Sequence, residues 1–204
     1  MARAAETRLA LMRAAEQLFA ERSVRAVSLR EVTAAAGQRN VSAVVYHFGS
    51  KTELLECVLE RHSEPMQLAF QEELSRMEDD PKTSLRSCIE LLVRAMAVKL
   101  DDPDGGRHYL SLCAQLAASP DYPLTERRCV RAPGNLALTQ KLVTYAPQIP
   151  PLLFPFRMMR FTNIMSLSFV DYMRLSSAGF QIPREVFIEE LIVALMQTVT
   201  TSNA

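Results

Sequence analysis

Apolar residues recur at intervals of three and four along most of the chain, the spacing that places side chains on one face of an α-helix. This periodicity predicts helices over about residues 3–22, 28–36 and 41–48, and a longer one from 51 to about 77. No segment shows the alternation of apolar and polar residues that is typical of a half-buried strand. The pattern therefore predicts an all-α fold.

The rest of the chain continues in the same way. The predicted helices cover about 84–100, 107–118, 124–145, 156–178 and 184–200. Within the third of these, Pro133-Gly134 is expected to interrupt the helix. The last two segments are apolar around more of their circumference than one side of a surface helix. Their apolar side chains are therefore buried either inside the subunit or against a second copy.

Residues 28–48 combine the signals of two short helices and a tight turn. Ser28 followed by Glu31 forms the capping box that starts a helix. Gly37 suits the positive φ at which a helix often ends. A helix, a glycine-containing turn and a second helix make the arrangement of a helix-turn-helix reader of the DNA major groove.

Several short motifs stand in and around this segment. They are Ala35-Ala36-Gly37, Val41-Ser42, Tyr46-His47-Phe48 and Ser50-Lys51 with Glu53-Leu54-Leu55. On these motifs, residues 5–62 resemble the amino-terminal domain of TetR-type transcriptional regulators. Two features depart from that family: Ser23 stands where a glycine is usual, and the turn Gln38-Arg39-Asn40 is longer than usual. The longer turn leaves the start of the recognition helix open by two or three residues.

The resemblance also implies how the chain is divided. Residues 1–62 would form a three-helix DNA-binding domain. A long helix would join it to residues 63–204, a larger all-helical domain for effector binding and dimerisation.

The first turn of a recognition helix faces base edges, where short or hydrogen-bonding side chains are needed. The candidates for these contacts are Gln38, Arg39, Asn40, Ser42 and Ala43. Arg39 suits guanine or a phosphate, Gln38 or Asn40 suits adenine, and Ala43 suits a thymine methyl group. The alternative is a solvated polar loop between two helices, but the flanking motifs favour contact with DNA.

Four further residues are candidates for contact with the DNA backbone. By the resemblance, Tyr46 and His47 reach the sugar-phosphate chain, although Tyr46 can also pack against the first helix. Lys51 and Ser28 stand at helix starts, where free amide groups favour an anion and a lysine adds positive charge. Phe48 is assigned to the core.

By the same resemblance, the carboxy-terminal domain holds an effector pocket and a dimer surface. The pocket candidates are His62, Met66, Met96, His108, Met158, Phe161 and Met165. The alternative is that the methionines and phenylalanines only fill the core and the histidines lie on the surface. The dimer candidates are Phe169, Tyr172, Phe187, Leu191, Leu195 and Val199.

Composition sets further limits. The 23 basic and 23 acidic residues give a net charge of zero, which counts against a non-specific nucleic-acid binder. The four cysteines lack metal-site spacing, so we expect reduced thiols and no metal. No signal-peptide pattern or membrane-length apolar run is present, so we expect a cytoplasmic protein.

Together these patterns predict a homodimeric transcriptional regulator, with no cofactor and no enzymatic activity. It would act as a repressor that leaves a palindromic double-stranded DNA operator when an unidentified small molecule binds. The alternative is a helical scaffold module that uses its helix-turn-helix to bind another protein. A helical enzyme is a more distant alternative.

Overall fold

The computed structural model describes residues 2–40, 42–78, 84–123, 126–147 and 149–200. The amino-terminal helices are α1 (Ala2–Arg22), α2 (Leu29–Ala35), α3 (Ser42–Phe48) and α4 (Lys51–Glu78). The predicted bounds agree with these within one or two residues. The predicted start of the third helix, at residue 41, lies outside the described residues.

Among its described residues, the body of the molecule contains six more α-helices. They are α5 (Leu85–Ala97), α6 (Gly106–Ala117), α7 (Arg128–Arg131), α8 (Pro133–Tyr145), α9 (Phe154–Ser177) and α10 (Arg184–Thr200). Short 3₁₀ helices cover Val98–Leu100 and Pro151–Leu153. No strand occurs within the described ranges, so the predicted all-α fold is confirmed.

The predicted interruption of the segment 124–145 at Pro133-Gly134 is confirmed, because α7 ends at Arg131 and Pro133 is the first residue of α8. A proline fits the first turn of a helix, where its missing N–H has no intrahelical partner in any case. The short helix α7 precedes it, and the predicted start at residue 124 lies outside the described residues.

The amino-terminal helices pack around α1, which contacts α2, α4 and α6. Leu11, Ala15 and Phe19 of α1 are fully buried, as is Val44 of α3. Burial of a leucine or phenylalanine side chain contributes about 1.5–3 kcal/mol relative to exposure. These contacts fix α3 on the amino-terminal end of α4. That helix continues without a break through residue 62, where the domain boundary is predicted.

In the body, α10 packs against α5 and α9, and α9 packs against α6. This packing corrects the predicted dimer surface. Phe169, Leu191, Leu195 and Val199 are all buried inside the single subunit, at most 3% exposed. Because these side chains have almost no accessible surface in the single subunit, they cannot be the surface that contacts a partner.

The other two dimer candidates, Tyr172 and Phe187, are half-buried and stack on one another with ring centroids 4.3 Å apart. The Tyr172 hydroxyl also donates to the carbonyl oxygen of Ile182 at 3.2 Å. Both side chains therefore hold α9 and α10 together within the subunit. Across the described residues, no helix is both long and apolar enough to span a bilayer.

Candidate nucleic-acid interface

The two faces of α3 differ sharply in burial. Val44 is fully buried and Phe48 nearly so, which anchors one face to the core. On the other face, Tyr46 is 83% exposed and Val45 is 54% exposed. The predicted alternative in which Tyr46 packs against the first helix does not occur. A tyrosine ring left in water on a short helix is available for a partner outside the subunit.

His47 lies beside this exposed ring. Its imidazole meets the Tyr46 ring edge-on, with centroids 5.0 Å apart, and the Phe48 ring lies 6.1 Å away on the other side. The histidine is half-buried, so part of its ring stays accessible next to the tyrosine. Tyr46 and His47 thus form one aromatic surface at the end of α3.

The turn before α3 uses one of the predicted base-reading side chains as a cap. The Asn40 side-chain oxygen accepts a hydrogen bond from the Ser42 amide at 2.9 Å, and the Asn40 carbonyl accepts from the Ala43 amide at 3.0 Å. This satisfies an amide of the first turn, as a helix start requires. The amide nitrogen of Asn40 is the part of that side chain left for a base.

Two other residues of the turn differ in availability. Arg39 is exposed, whereas Gln38 is half-buried and its side-chain amide donates to the carbonyl of Ala36 at 3.4 Å. Ser42 is exposed and Ala43 half-buried at the helix start. The structure therefore brings Arg39, Ser42 and the free end of Asn40 together beside α3.

Ser28 caps α2 as predicted. Its hydroxyl accepts from the Glu31 amide, and the Glu31 carboxylate accepts from the Ser28 amide and hydroxyl at 2.8 Å each. These hydrogen bonds from Ser28, with a further one from Arg22, lower the pKa of Glu31 to about 2. The Ser28 amide therefore already has a carboxylate acceptor, and contact of Ser28 with a phosphate stays a prediction.

Lys51 takes part in an internal contact. Its ammonium donates to the carbonyl oxygen of Val27 and lies 3.5 Å from that of Arg25, in the loop between α1 and α2. It also lies 5.8 Å above the Phe19 ring. Burial lowers the pKa of the Lys51 ammonium. Lys51 joins α4 to this loop, and its contact with a phosphate stays a prediction.

The loop between α1 and α2 explains one departure from the family pattern. Ser23 has a φ of +77°, in the left-handed region that favours glycine. The chain thus keeps the conformation at the position where the family usually has a glycine.

The predicted effector residues do not line a cleft of about 480 Å³ found among the described residues. This cleft lies between Glu21–Arg25, at the end of α1, and Gln115–Tyr122, at the end of α6. Met96, Phe161 and Met165 are buried in the core, while Met66, His108 and Met158 are half-buried. Their role toward an effector stays a prediction.

His62 is the exception among these residues, since it has polar partners. It is 2% exposed, and its Nε2 lies 2.6 Å from a carboxylate oxygen of Glu16. Glu16 itself is only 1% exposed. Glu16 was not predicted as part of a site, although a charged residue next to Ala15 on the buried side of α1 needs a partner.

The sequence of this helical domain matches a known family. Residues 11–58 fit the family model of bacterial regulatory proteins of the tetR family. This range runs from within α1 through α2 and α3 into the first part of α4. The chain carries the DNA-binding domain of a TetR-type regulator. The predicted resemblance of residues 5–62 to this family is therefore confirmed.

The fold of the whole chain is also shared with TetR-type proteins of known structure. A protein assigned to the tetR family from Shewanella sp. PV-4 is 14% identical, with a TM-score of 0.68 over 96% of this chain and 98% of that one. Salmonella enterica GusR is 16% identical, with a TM-score of 0.52 over 95% of both chains. A comparison with curated protein sequences finds no significant match.

A third TetR-type structure, from Streptomyces coelicolor, is 21% identical, with a TM-score of 0.52 over 95% of this chain and 80% of that one. At such identities the structures share the fold alone. The matched domain is that of DNA-binding transcriptional regulators, which are not enzymes. The predicted function class is therefore confirmed at this level, and the scaffold and enzyme alternatives are not favoured.

Proposed function

We propose that this TetR-type regulator binds a palindromic operator as a homodimer and represses transcription until a small molecule releases it. The observation that carries the proposal is the exposed face of α3, with Tyr46 83% in solvent on a helix anchored by buried Val44. The polar turn that ends at Asn40 stands beside this face. Its working compartment is then the cytoplasm, where bacterial DNA lies.

Within this proposal, the residues around α3 have distinct tasks. Arg39 reads guanine or holds a phosphate, and the free amide nitrogen of Asn40 donates to an acceptor on a base edge. Ser42 and Ala43 face the groove at the helix start. The aromatic surface of Tyr46 and His47 lies against the sugar-phosphate backbone.

The dimer surface is proposed on the exposed face of α9 and α10. Phe156, Met159 and Leu167 are exposed on α9, and Val186 and Val193 are exposed on α10. Spacings of three, seven and eight residues place each set on one side of its helix. In a two-fold homodimer the same surface of each subunit is buried, and an exposed apolar surface is a candidate for that burial.

Release by a ligand follows from the geometry of two recognition helices. They must be about one helical turn of DNA apart, or a larger matched distance, to enter successive major grooves together. A ligand that prefers another separation weakens DNA binding by its differential affinity for the two forms. α4 connects the two regions, because it begins beside α3 and packs against α8 of the body.

The test begins with selection of bound fragments from random DNA, followed by titration of the selected operator at several salt concentrations. We expect a steep salt dependence and specific binding at least about 1,000-fold tighter than non-specific binding. Equal affinity for selected and scrambled DNA would contradict the proposal and favour a protein partner for α3.

Variants then test the assignment of residues. Tyr46→Phe is expected to weaken binding to every sequence, whereas Arg39→Ala also relaxes the preference at one base pair. The matched control is Arg76→Ala, since Arg76 is exposed on α4 and, within the part of the chain that the structure describes, pairs only with Glu72 and Glu73 of its own helix. Unchanged affinity in both α3 variants would remove these side chains from the interface.

A further inference from the structure

A cluster of charged side chains, most of them buried, lies where α1 meets the body. We call it the junction cluster: Glu16 of α1, Arg61 and His62 of α4, and Asp104 in the loop before α6. The Glu16 and His62 side chains are at most 3% exposed and that of Arg61 is 15% exposed. Buried charges are costly unless each is paired and hydrogen-bonded. This degree of pairing therefore indicates a defined geometry.

Arg61 joins the elements of the cluster. Its guanidinium contacts the Glu16 carboxylate, donates to the Asp104 carboxylate at 2.9 Å and donates to the Asp104 carbonyl at 3.1 Å. One side chain of α4 thus holds α1 on one side and the loop of the body on the other. The planar guanidinium suits this task, because its donors point in fixed directions.

His62 adds a second link on the neighbouring position of α4. Its Nε2 lies 2.6 Å from Glu16, and its Nδ1 lies 3.8 Å from the carboxylate of Asp102 in the same loop. The ring stacks on Tyr109 of α6 with centroids 4.7 Å apart. Glu16 is thereby linked to α4 through both Arg61 and His62, and His62 extends this link to α6 through Tyr109.

A second layer of charge surrounds the loop. Arg13 of α1 donates twice to the Asp104 carboxylate, at 2.8 and 3.0 Å, and Lys99 donates to Asp102 at 2.8 Å. The hydrogen bond from Arg13, with the nearby Arg61, lowers the pKa of Asp104 to about 2. Asp104 is therefore ionised at neutral pH and bridges α1 and α4.

The backbone shows that this approach is close. Gly105 has a φ of +89°, and a Cβ added there would lie 2.6 Å from the Glu16 carboxylate. That distance is shorter than a normal non-bonded contact. The loop of the body thus lies so close to the Glu16 side chain that a residue with a Cβ at position 105 would displace the carboxylate.

We infer that the junction cluster sets the angle between the DNA-binding domain and the body, with Arg61 as its principal positioning residue. α1 belongs to the domain that carries α3, the loop with Asp104 belongs to the body, and α4 passes through both. Buried polar pairs with strict geometry select one arrangement more than they add stability. In a dimer, the angle in each subunit fixes the separation of the two α3 helices.

This inference rests on the proposed function, because it needs a dimeric DNA reader. Its consequence concerns the spacing between operator half-sites, not affinity alone. An inserted base pair moves one half-site by about 3.4 Å and rotates it by roughly a tenth of a turn. A rigid junction resists this change, whereas a loosened junction allows α3 to follow the displaced half-site.

The experiment compares three operators: the selected one, one with a base pair inserted at its centre and one with a base pair removed. Wild-type protein is expected to lose at least about tenfold in affinity on either change. Arg61→Met is expected to bind the selected operator somewhat more weakly and to lose at most about threefold on the same changes. Arg76→Met is the matched control on the same helix and should behave as the wild type.

Glu16→Gln serves as a second variant, since it keeps the volume of the side chain and removes the charge that Arg61 and His62 contact. Circular dichroism and thermal unfolding identify any variant that fails to fold. Arg61→Lys keeps the positive charge and is expected to retain part of the spacing preference. It should not retain all of it, because a single ammonium cannot contact both Glu16 and Asp104 as the guanidinium does.

The outcomes separate the two proposals. Failure of the wild type to prefer any operator would contradict the proposed function. Wild-type selectivity for spacing, together with variants that weaken binding equally on all three operators, would overturn the positioning role of the junction cluster alone. A flattened spacing preference in both Arg61→Met and Glu16→Gln would support it.

Discussion

Lys51 shows how a single side chain at a helix start can serve the fold. Its ammonium holds the carbonyl groups of the loop between α1 and α2. We expect Lys51→Met to keep the packing of the side-chain stem and to lower the free energy of unfolding by about 1–3 kcal/mol, because the Val27 carbonyl loses its charged donor. Urea denaturation measures this change.

The same variant tests the phosphate contact predicted for Lys51. A lysine that neutralises a phosphate adds about one unit to the slope of log affinity against log salt concentration. Because the ammonium is engaged inside the subunit, we expect the slope of Lys51→Met to match that of the wild type. A slope reduced by about one unit would establish the phosphate contact instead.

Asp104 makes stability depend on pH in the acidic range. Its pKa is about 2 in the folded protein, below the ordinary value of 3.8, so folding favours the ionised form. This contribution is fully present above about pH 4 and is lost as the pH falls from about 4 to 2. We expect it to be about 1 kcal/mol or less, because the side chain is 46% exposed and solvent screens the pairs.

The corresponding measurement is the free energy of unfolding of the wild type and Asp104→Asn from pH 7 to pH 2. The wild type should be more stable at neutral pH, and the two curves should converge near pH 2. Glu31 also has a pKa of about 2, but it is present in both proteins and cancels in the difference. A constant difference down to pH 2 would show that ionisation of Asp104 contributes nothing.

At the scale of elements, the sequence predicts what local signals determine. The capping box of Ser28 and Glu31 and the periodicity of α1, α4 and α10 locate helices within one or two residues, because both signals depend on neighbours three or four positions apart. The contacts of Lys51 and Asn40 were less predictable. Asn40 and Lys51 at helix starts can either contact DNA or bind groups of their own chain. Only the folded loops show that Asn40 caps α3 and that Lys51 donates to the Val27 carbonyl.

The contacts between elements were largely invisible in the sequence. The apolar surface of α10 predicts burial, but the same pattern results whether α5 and α9 or a second subunit covers it. For that reason Leu191 and Leu195 were assigned to the dimer surface, although they are buried inside the subunit. The pairing of Glu16 with Arg61 joins residues 45 positions apart, and no local rule identifies such a partner.

The loop between the 3₁₀ helix Val98–Leu100 and α6 gives a prediction at the element scale. Gly105→Ala places a Cβ against the Glu16 carboxylate, whereas Gly179→Ala, at a similar φ of +91°, meets nothing within 4 Å. The left-handed conformation alone costs an alanine about 1–2 kcal/mol. We expect Gly179→Ala to lose about that amount and Gly105→Ala clearly more, because the Glu16 carboxylate must also move away from Arg61 and His62.

Thermal and urea denaturation of the two variants give the comparison. Gly179 follows α9 and lies outside the junction cluster, so its variant isolates the cost of the backbone conformation. Equal losses in the two variants would mean that the Glu16 side chain moves aside without cost. The loop would then not be closely fitted to α1.

At the scale of the whole molecule, the dimer prediction depends on separating exposed from buried apolar residues. Leu167 and Val193 are 47% and 41% exposed on neighbouring helices, whereas Leu191 is 3% exposed. We expect Leu167→Glu combined with Val193→Glu to give a folded monomer, because a two-fold interface repeats each buried charge on both sides. Leu191→Glu should instead unfold the subunit, since the carboxylate would enter its core.

Sedimentation measures the oligomeric state, and circular dichroism distinguishes a folded monomer from an unfolded chain. The matched control is Leu152→Glu, because this leucine is 89% exposed but precedes α9. A folded monomer should also bind the operator at least about 100-fold more weakly, because the second half-site no longer benefits from the first. If the double variant stays dimeric, the two-fold axis lies on another face, and the separation of the α3 helices must be derived from that face instead.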